Sequence, residues 1–549
     1  MPQGWIASGT DDTITFLEAP ANGVAIQVKE YPTTATGSTD VWALGAWSTE
    51  RGYPSEVEFF SDRLIFSGTP AEPQTLWFSK AGSYVDFGRS TPIVDDDGIA
   101  ATINARRQNA IRELIPLDKL IMLTTGGEWK TTGGQDDVLT PTTVAFKPQS
   151  YNGSAQIPAL VVGDTALYVQ NRGYVVRDIR YQFDAGESGG YTGGDLTVFS
   201  SHLTEGRPIA EWDFQQTPFS VVWVVREDGV LLAMTYMREQ EVIGWTPMEI
   251  DGFVESVCCV PEGGEDAVYV AVRRTIDGVE KRYVERMATR LIFDIREAKF
   301  LDSFLTYDGR GDGIVTMTAT GASWLVGESV TLTASAATFS SGDIGDIIVM
   351  GYQAGSNARL RITEYTSTTV VTAEIDTPVA ESLQATAVTD WGFARNTLSG
   401  YDHLAGETVG VLGDGFVQDT RTVSGGGVVV LDEPAVLAHV GLPYVSDFET
   451  LEINVPGAES PRMRNKLIKE LGLIVQDTRS IRAGPDFDNL DEYEPRSNET
   501  ITGPPSLLQD LVQMHISGDW AQKGRVCVRQ SDPLPISLLG CIVLAEFGQ

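Results

Sequence analysis

Four histidines are all the imidazoles that 549 residues provide, and they stand far apart, at His202, His403, His439 and His515. No HxH, HExxH or paired-cysteine spacing joins any two of them, so zinc has no ligand set in this pattern. Tyr401-Asp402-His403 sits in a glycine-rich stretch and reads as a turn rather than a proton-relay dyad. Carboxylates crowd as calcium loops do at "DDDG" (95–98) and "DFDNLDEYE" (486–494). Neither matches the EF-hand loop, and the second lacks the glycine that its sharp turn requires. "GGVVVLDEP" has no following Lys-Ser/Thr to close on a phosphate, and no serine stands in a nucleophile elbow. Trp77, Trp129, Trp223 and Trp245 could stack on sugars, but their recurrence in similar strands favours core packing. The sequence therefore offers no catalytic, cofactor-binding or metal-binding residues, and it reads as a builder rather than an enzyme.

The elements that frame these residues are strands. Fifty-six glycines and 26 prolines, with few helical patterns, point to a turn-rich all-β chain. A hairpin recurs along the first 300 residues. "DRLIFSGTPAEPQTLWFSK" starts at Asp62, with Leu64, Ile65 and Phe66 in one strand and Leu76, Trp77 and Phe78 in the next. "DKLIMLTTGGEWKTTG" follows at Asp118, "DTALYVQNRGYVVRDI" at Asp164, "FSVVWVVREDGVLLAMTY" at Phe219 and "DAVYVAVRRTIDGVEKRYVERM" at Asp266. The turns fall at Gly126-Gly127, Arg172-Gly173, Asp228-Gly229 and Asp277-Gly278, where glycine accepts positive φ without steric cost. Units start about 45 to 55 residues apart, the spacing of propeller blades. "PIAEWDF" before the fourth unit and "EQEVIGWTPMEI" after it extend that copy to four strands. Blades packed around an axis bury faces that a lone hairpin leaves exposed.

The expected fold is thus a β-propeller with inserted small β-barrel or sandwich domains and a C-terminal segment that returns to the propeller. Residues 1–50 are a lead-in and 51–304 the blades. From about 305 to 455 the texture turns to Thr, Ser, Ala, Gly and Val, with look-alike stretches "VGESVTL" and "AGETVGVL", which marks the insert. Residues 456–549, including "LGLIVQDT" and "GRVCVRQSDPLPISLLGCIVLAEF", complete the propeller.

Charge limits the function classes. Seventy-five acids against 40 bases give −35, which excludes an ordinary basic grip on DNA. No run of 18 apolar residues is present, and "MPQGWIASGTDDTITF" lacks the basic and apolar regions of a secretory signal. Of four cysteines, Cys258 and Cys259 lie in the apolar run "VESVCCV" and read as buried free thiols from a reducing cytosol.

"YPSEVEFFSDRLIFSGTPAEPQTLWFSKAGSYVDF", "HLTEGRPIAEWDFQQTPFSVVWVVREDGVLLAMTYMREQEVIGWTPM", "HVGLPYVSDFETL" and "QSDPLPISLLGCIVLAEFG" resemble the tail nozzle, or tail tubular protein B-like, proteins of short-tailed bacteriophages. The resemblance implies a propeller with inserted β domains, assembled in the host cytoplasm as a homohexameric tube at the distal end of the virion tail. It implies docking below an adaptor ring, contact with tail fibres, retention of the genome and passage of double-stranded DNA without sequence-specific binding. The host cell surface is a further partner in this picture. An acidic tube wall would keep phosphates from sticking, with like charges felt only within about 8 Å in physiological salt. Two alternatives remain at this level: a propeller glycosidase or depolymerase, which needs paired carboxylates at a pocket, and a receptor-binding tail protein.

Overall fold

The computed structural model describes residues 46–106, 108–134, 138–182, 190–453, 464–493, 504–518 and 520–548. Residues 1–45 of the lead-in, residues 456–463 of the C-terminal segment and Glu494 of the second carboxylate run lie outside them. The chain is all-β. It divides into two compact units: residues 1–228 with 232–247, and residues 229–231 with 248–549.

The first unit is a run of four antiparallel meanders, each of four strands in chain order. Blade 1 is Glu56–Phe60, Arg63–Ser67, Thr75–Phe78 and Ile99–Thr102; blade 2 is Ile111–Pro116, Leu120–Thr124, Gly127–Thr132 and Ala145–Ser150. Blade 3 is Leu160–Val162, Thr165–Val169, Val176–Gln182 and Gly190–Thr192; blade 4 is Ile209–Gln215, Val221–Arg226, Leu231–Met237 and Val242–Met248. Each repeated hairpin is the middle pair of its sheet, and the units starting at Asp118 and Asp164 lie in separate sheets, as propeller blades require.

Burial explains the pattern. The second strands "LIMLT", "TALYV" and "VVWVVR" are buried at every position because both of their faces are covered. One cluster, including Ile65, Phe78, Leu114, Met122 and Trp129, joins blades 1 and 2, and another, including Ile121, Leu123, Tyr168 and Ile179, joins blades 2 and 3. The fourth strand of blade 4 is mostly exposed.

The turns serve two different ends. Asp277 and Gly278 have φ of 50° and 72°, the two left-handed residues of a two-residue hairpin turn. Gly126 and Gly127 do not occupy that region, contrary to the expectation from their type. They allow close approach instead: a Cβ on Gly126 would stand 2.4 Å from Asn109 Oδ1, and one on Gly127 2.6 Å from the Ser150 carbonyl.

The second unit opens with the fifth repeat, a three-stranded sheet of Phe253–Glu262, Glu265–Ile276 and Val279–Arg286. The insert follows as two modules. Eight strands form one sheet, ordered Ala387–Val388, Met317–Thr320, Ser329–Ala334, Val370–Ile375, Ala358–Ser367, Ile347–Met350, Trp391–Ser399 and Val428–Ala435. Ala387–Val388 is at one edge and Trp391–Ser399 next to the other, yet only Thr389 and Asp390 connect them. Three Cα steps reach about 11 Å, so the sheet curls into a barrel. Met317, Leu332, Ile348, Leu360, Val371 and Trp391 are among the side chains that fill its interior.

A second sheet of Asp302–Asp308, Leu437–Leu442, Thr408–Gly413 and Phe416–Thr422 has its own core around Leu404, Val411, Val429 and Val440. The look-alike stretches take up equivalent places in the two modules. Gly327 (φ 88°) and Gly406 (φ 83°) each stand third in a turn closed by Glu328 N–H to the Leu325 carbonyl (3.1 Å) or Glu407 N–H to the Leu404 carbonyl (3.0 Å). The C-terminal segment contributes whole sheets. Lys466–Val475 pairs with Leu511–His515 and Leu538–Phe547, while Cys527–Gln530, Arg482–Asp486 and Asn489–Glu492 form a second sheet that Ser446–Glu449, expected in the insert, joins at its edge. Leu471, Leu473, Ile481, Val512 and Val528 belong to the core they share.

The expectation of buried thiols also fails. Cys258 is exposed and Cys259 half-buried. The strand alternates, and a bulge between Val254 and Ser256 resets its phase, so Val257 turns inward and Cys258 outward. An unbroken apolar run had read as wholly buried because the run alone does not show its phase.

Candidate functional site

The residues that the sequence offered for chemistry are committed to structure. Asp97 of "DDDG" is buried and accepts hydrogen bonds from Ser90 N–H (2.7 Å), Ser90 Oγ (2.8 Å) and Val94 N–H (3.1 Å). These bonds hold its carboxyl at about 2, well below the usual range despite desolvation. Asp95 and Asp97 contribute backbone carbonyls to buried Arg63, at 3.0 and 2.8 Å from its guanidinium. In the second run Asp486 closes the turn to Asn489, accepting from Asp488 N–H (3.0 Å) and Asn489 N–H (2.8 Å). Among the described residues no three His, Cys, Asp or Glu side chains converge as a metal site.

The histidines stay dispersed. His439 is buried, with Nε2 donating to the Arg296 carbonyl (2.9 Å) and Nδ1 2.8 Å from Thr306 Oγ1. Burial pushes this imidazole down to about 4. His403 Nε2 lies 2.8 Å from the Ser303 carbonyl, and its ring stacks on Tyr401. Trp77, Trp129 and Trp223 are buried, while Trp245 is half-buried and donates to the Leu196 carbonyl (2.8 Å). Trp77 and Trp129 occupy equivalent places on third strands, opposite Phe66 and Met122. Trp223 and Trp245 lie on second and fourth strands, so the shared position holds for two of the four.

A feature that the motif search passed over lies on the first strands of the blades. Blade 1 places Glu56 and Glu58 there, blade 2 Arg112 and Glu113, and blade 4 Glu211 and Asp213. The first strands of blades 1 and 2 are in contact, as are those of blades 3 and 4. Both Glu113 oxygens receive Ala159 N–H (2.8 and 2.7 Å), and Arg112 Nη1 donates to Gln156 Oε1 (2.7 Å), which ties blade 2 to the approach to blade 3.

Desolvation pushes Glu113 up to about 7, with Glu56 and Glu58 adding to the rise and the Ala159 N–H opposing it. Desolvation also lifts Glu56 to about 7, against the pull of Arg112. Glu56 and Glu113 are therefore charged above neutrality and increasingly protonated below it. The signal of these first-strand charges was present in "SEVEF" and "AEWDF", where charge alternates with apolar residues, and in the paired charges of "IREL", each at the start of a repeat. Finding it requires aligning the repeats rather than scanning for catalytic spacing.

No family model matches the chain, and no curated protein does. Among solved structures, Kluyveromyces lactis Hsv2 matches at 10% identity over 59% of this chain and 98% of its own, with a TM-score of 0.23. A second structure, Kluyveromyces lactis Hsv2 complete loop 6CD, matches at 8% identity over the same shares, with a TM-score of 0.22. Superposition this poor carries no argument, and the blades rest on their own strand order and cores.

Proposed function

We propose that the chain is a structural subunit of a short phage tail, a homohexameric distal nozzle that holds back the genome and conducts DNA at ejection. The observation that carries this reading is the long, uncommon motif set resembling tail tubular protein B-like nozzles. It covers the first three strands of blade 1 in "YPSEVEFFSDRLIFSGTPAEPQTLWFSKAGSYVDF" and all of blade 4 in "PIAEWDFQQTPFSVVWVVREDGVLLAMTYMREQEVIGWTPM". In this reading the protein is not an enzyme, and it works in the virion through an adaptor ring, tail fibres and the host surface. The acids support the DNA-conducting role, since −35 per copy opposes adhesion of a duplex carrying one negative charge per about 1.7 Å.

Lysine substitution of wall-facing acids should slow DNA ejection, more at low salt than at high. An equal number of exterior substitutions should leave it unchanged. Equal effects from both sets would reduce the charge to a matter of solubility.

The raised pair Glu56 and Glu113 is the one observation that favours the glycosidase alternative, because such chemistry needs a carboxyl protonated near neutrality. Turnover of purified host glycan that disappears in Glu113→Gln would establish that reading in place of the nozzle.

A further inference from the structure

The fifth repeat stops one strand short. Blades 1 to 4 have four strands each, whereas Phe253–Glu262, Glu265–Ile276 and Val279–Arg286 make three, and among the described residues Val279–Arg286 pairs on one side only. The register identifies the backbone groups on its open side. The two-residue turn makes Ile276 and Val279 a hydrogen-bonded pair, and with no bulge in the ladder such pairs recur at Lys281, Tyr283 and Glu285. The N–H and C=O groups of Glu280, Arg282, Val284 and Arg286 therefore point away from the sheet. Val284 is 78% exposed and Val279 55%, apolar residues where an isolated edge would be polar. Two of this edge's three cations are drawn back over the sheet, Arg282 to Glu255 (2.7 Å) and Arg286 to Glu262 (3.1 Å), which leaves Lys281 as the exposed cation of the edge.

We infer that Val279–Arg286 is a subunit interface, where an extended strand of a second copy of this chain adds to the sheet as its fourth member. Charge favours a second copy at this place. Copies carrying −35 each repel over most of their surfaces. The hairpin from Glu265 to Arg286 is neutral instead: Arg273, Arg274, Lys281, Arg282 and Arg286 balance Glu265, Asp266, Asp277, Glu280 and Glu285. Strand addition uses main-chain hydrogen bonds, which like-charged partners can form where net charge vanishes. A strand from elsewhere on the neighbour makes a head-to-side contact, the kind that closes a ring. The inference rests on the proposed homo-oligomer, and its test separates the two.

The substitution Val284→Pro removes an outward N–H and leaves the inner ladder whole, since proline is tolerated on an edge whose N–H faces solvent. Native mass spectrometry of the full chain should show an oligomer for the wild type and at least a tenfold weaker one for Val284→Pro. Hydrogen exchange on the unsubstituted protein supplies an independent reading. The amides of Glu280, Arg282, Val284 and Arg286 should exchange fast in dilute monomer and slowly in the assembly, while Tyr283 stays protected in both. A wild-type oligomer that Val284→Pro matches, or amides that exchange equally fast in both states, overturns the interface and leaves the oligomer standing. A wild type that remains monomeric at every concentration overturns both.

Discussion

Glu113→Gln should stabilise the blades, and by an amount that depends on pH. The carboxyl of Glu113 rises from 4.5 to about 7, mainly through burial. Below pH 4.5 the acid is protonated in both folded and unfolded chains and costs nothing. Between 4.5 and 7 the folded state holds its proton more tightly, so stability falls as pH rises through this window. Above 7 the full cost of burying the charge is present. At 1.36 kcal/mol for each pH unit, that cost reaches about 3 kcal/mol. Glutamine imitates the protonated acid and keeps an oxygen for Ala159 N–H. The variant should therefore match the wild type at pH 4.5 and exceed it by up to about 3 kcal/mol at pH 8.

Hydrogen exchange at Leu120–Thr124, buried at the centre of blade 2, reads this effect without requiring the whole chain to unfold in one step. Glu56→Gln should act in the same direction, since its carboxyl also stands at about 7 with the pull of Arg112 included. A Glu113→Gln variant less protected than the wild type at pH 8, or a difference independent of pH, would refute the reasoning. The confirmed result would mean that the Glu113 carboxyl is kept at a cost to stability.

The insert should show the opposite sign at His439. Its imidazole is held at about 4 rather than 6.5, so protection of Leu437–Leu442 should fall as pH drops from 6.5 towards 4, and His439→Gln should flatten that dependence. Trp129→Ala should cost about 3 to 5 kcal/mol in blade 2, measured by hydrogen exchange, because it empties a site between two blades. Cys258 should react with maleimide in the native protein while buried Cys527 does not, as read by peptide mass spectrometry. Added calcium should leave the melting of blade 1 unchanged, since Asp97 is already engaged by Ser90 and Val94.

The fold was largely legible because blades carry redundant signals. Leu64-Ile65-Phe66 and Leu76-Trp77-Phe78 became adjacent strands, and the flanking "PIAEWDF" and "EQEVIGWTPMEI" became the outer pair of blade 4. Each unit repeats the burial requirement of the last, so an ambiguous strand is read from its neighbours. Cys258 escaped this logic because a bulge, invisible in composition, decides which way a side chain points. Gly126 and Gly127 escaped it because tight packing against Asn109 and Ser150 selects glycine as firmly as positive φ does. The first-strand carboxylates were passed over for a different reason. Glu56 and Glu113 are 57 positions apart, and only the contact of two blades makes them neighbours.

The most direct measurement is a cryo-electron micrograph reconstruction of the assembled protein, on the virion or purified. The account predicts a six-fold tube at the distal end of a short tail, with a channel wall that is net acidic. A monomer in intact particles, a location away from the tail, or a channel lined by basic residues would contradict it.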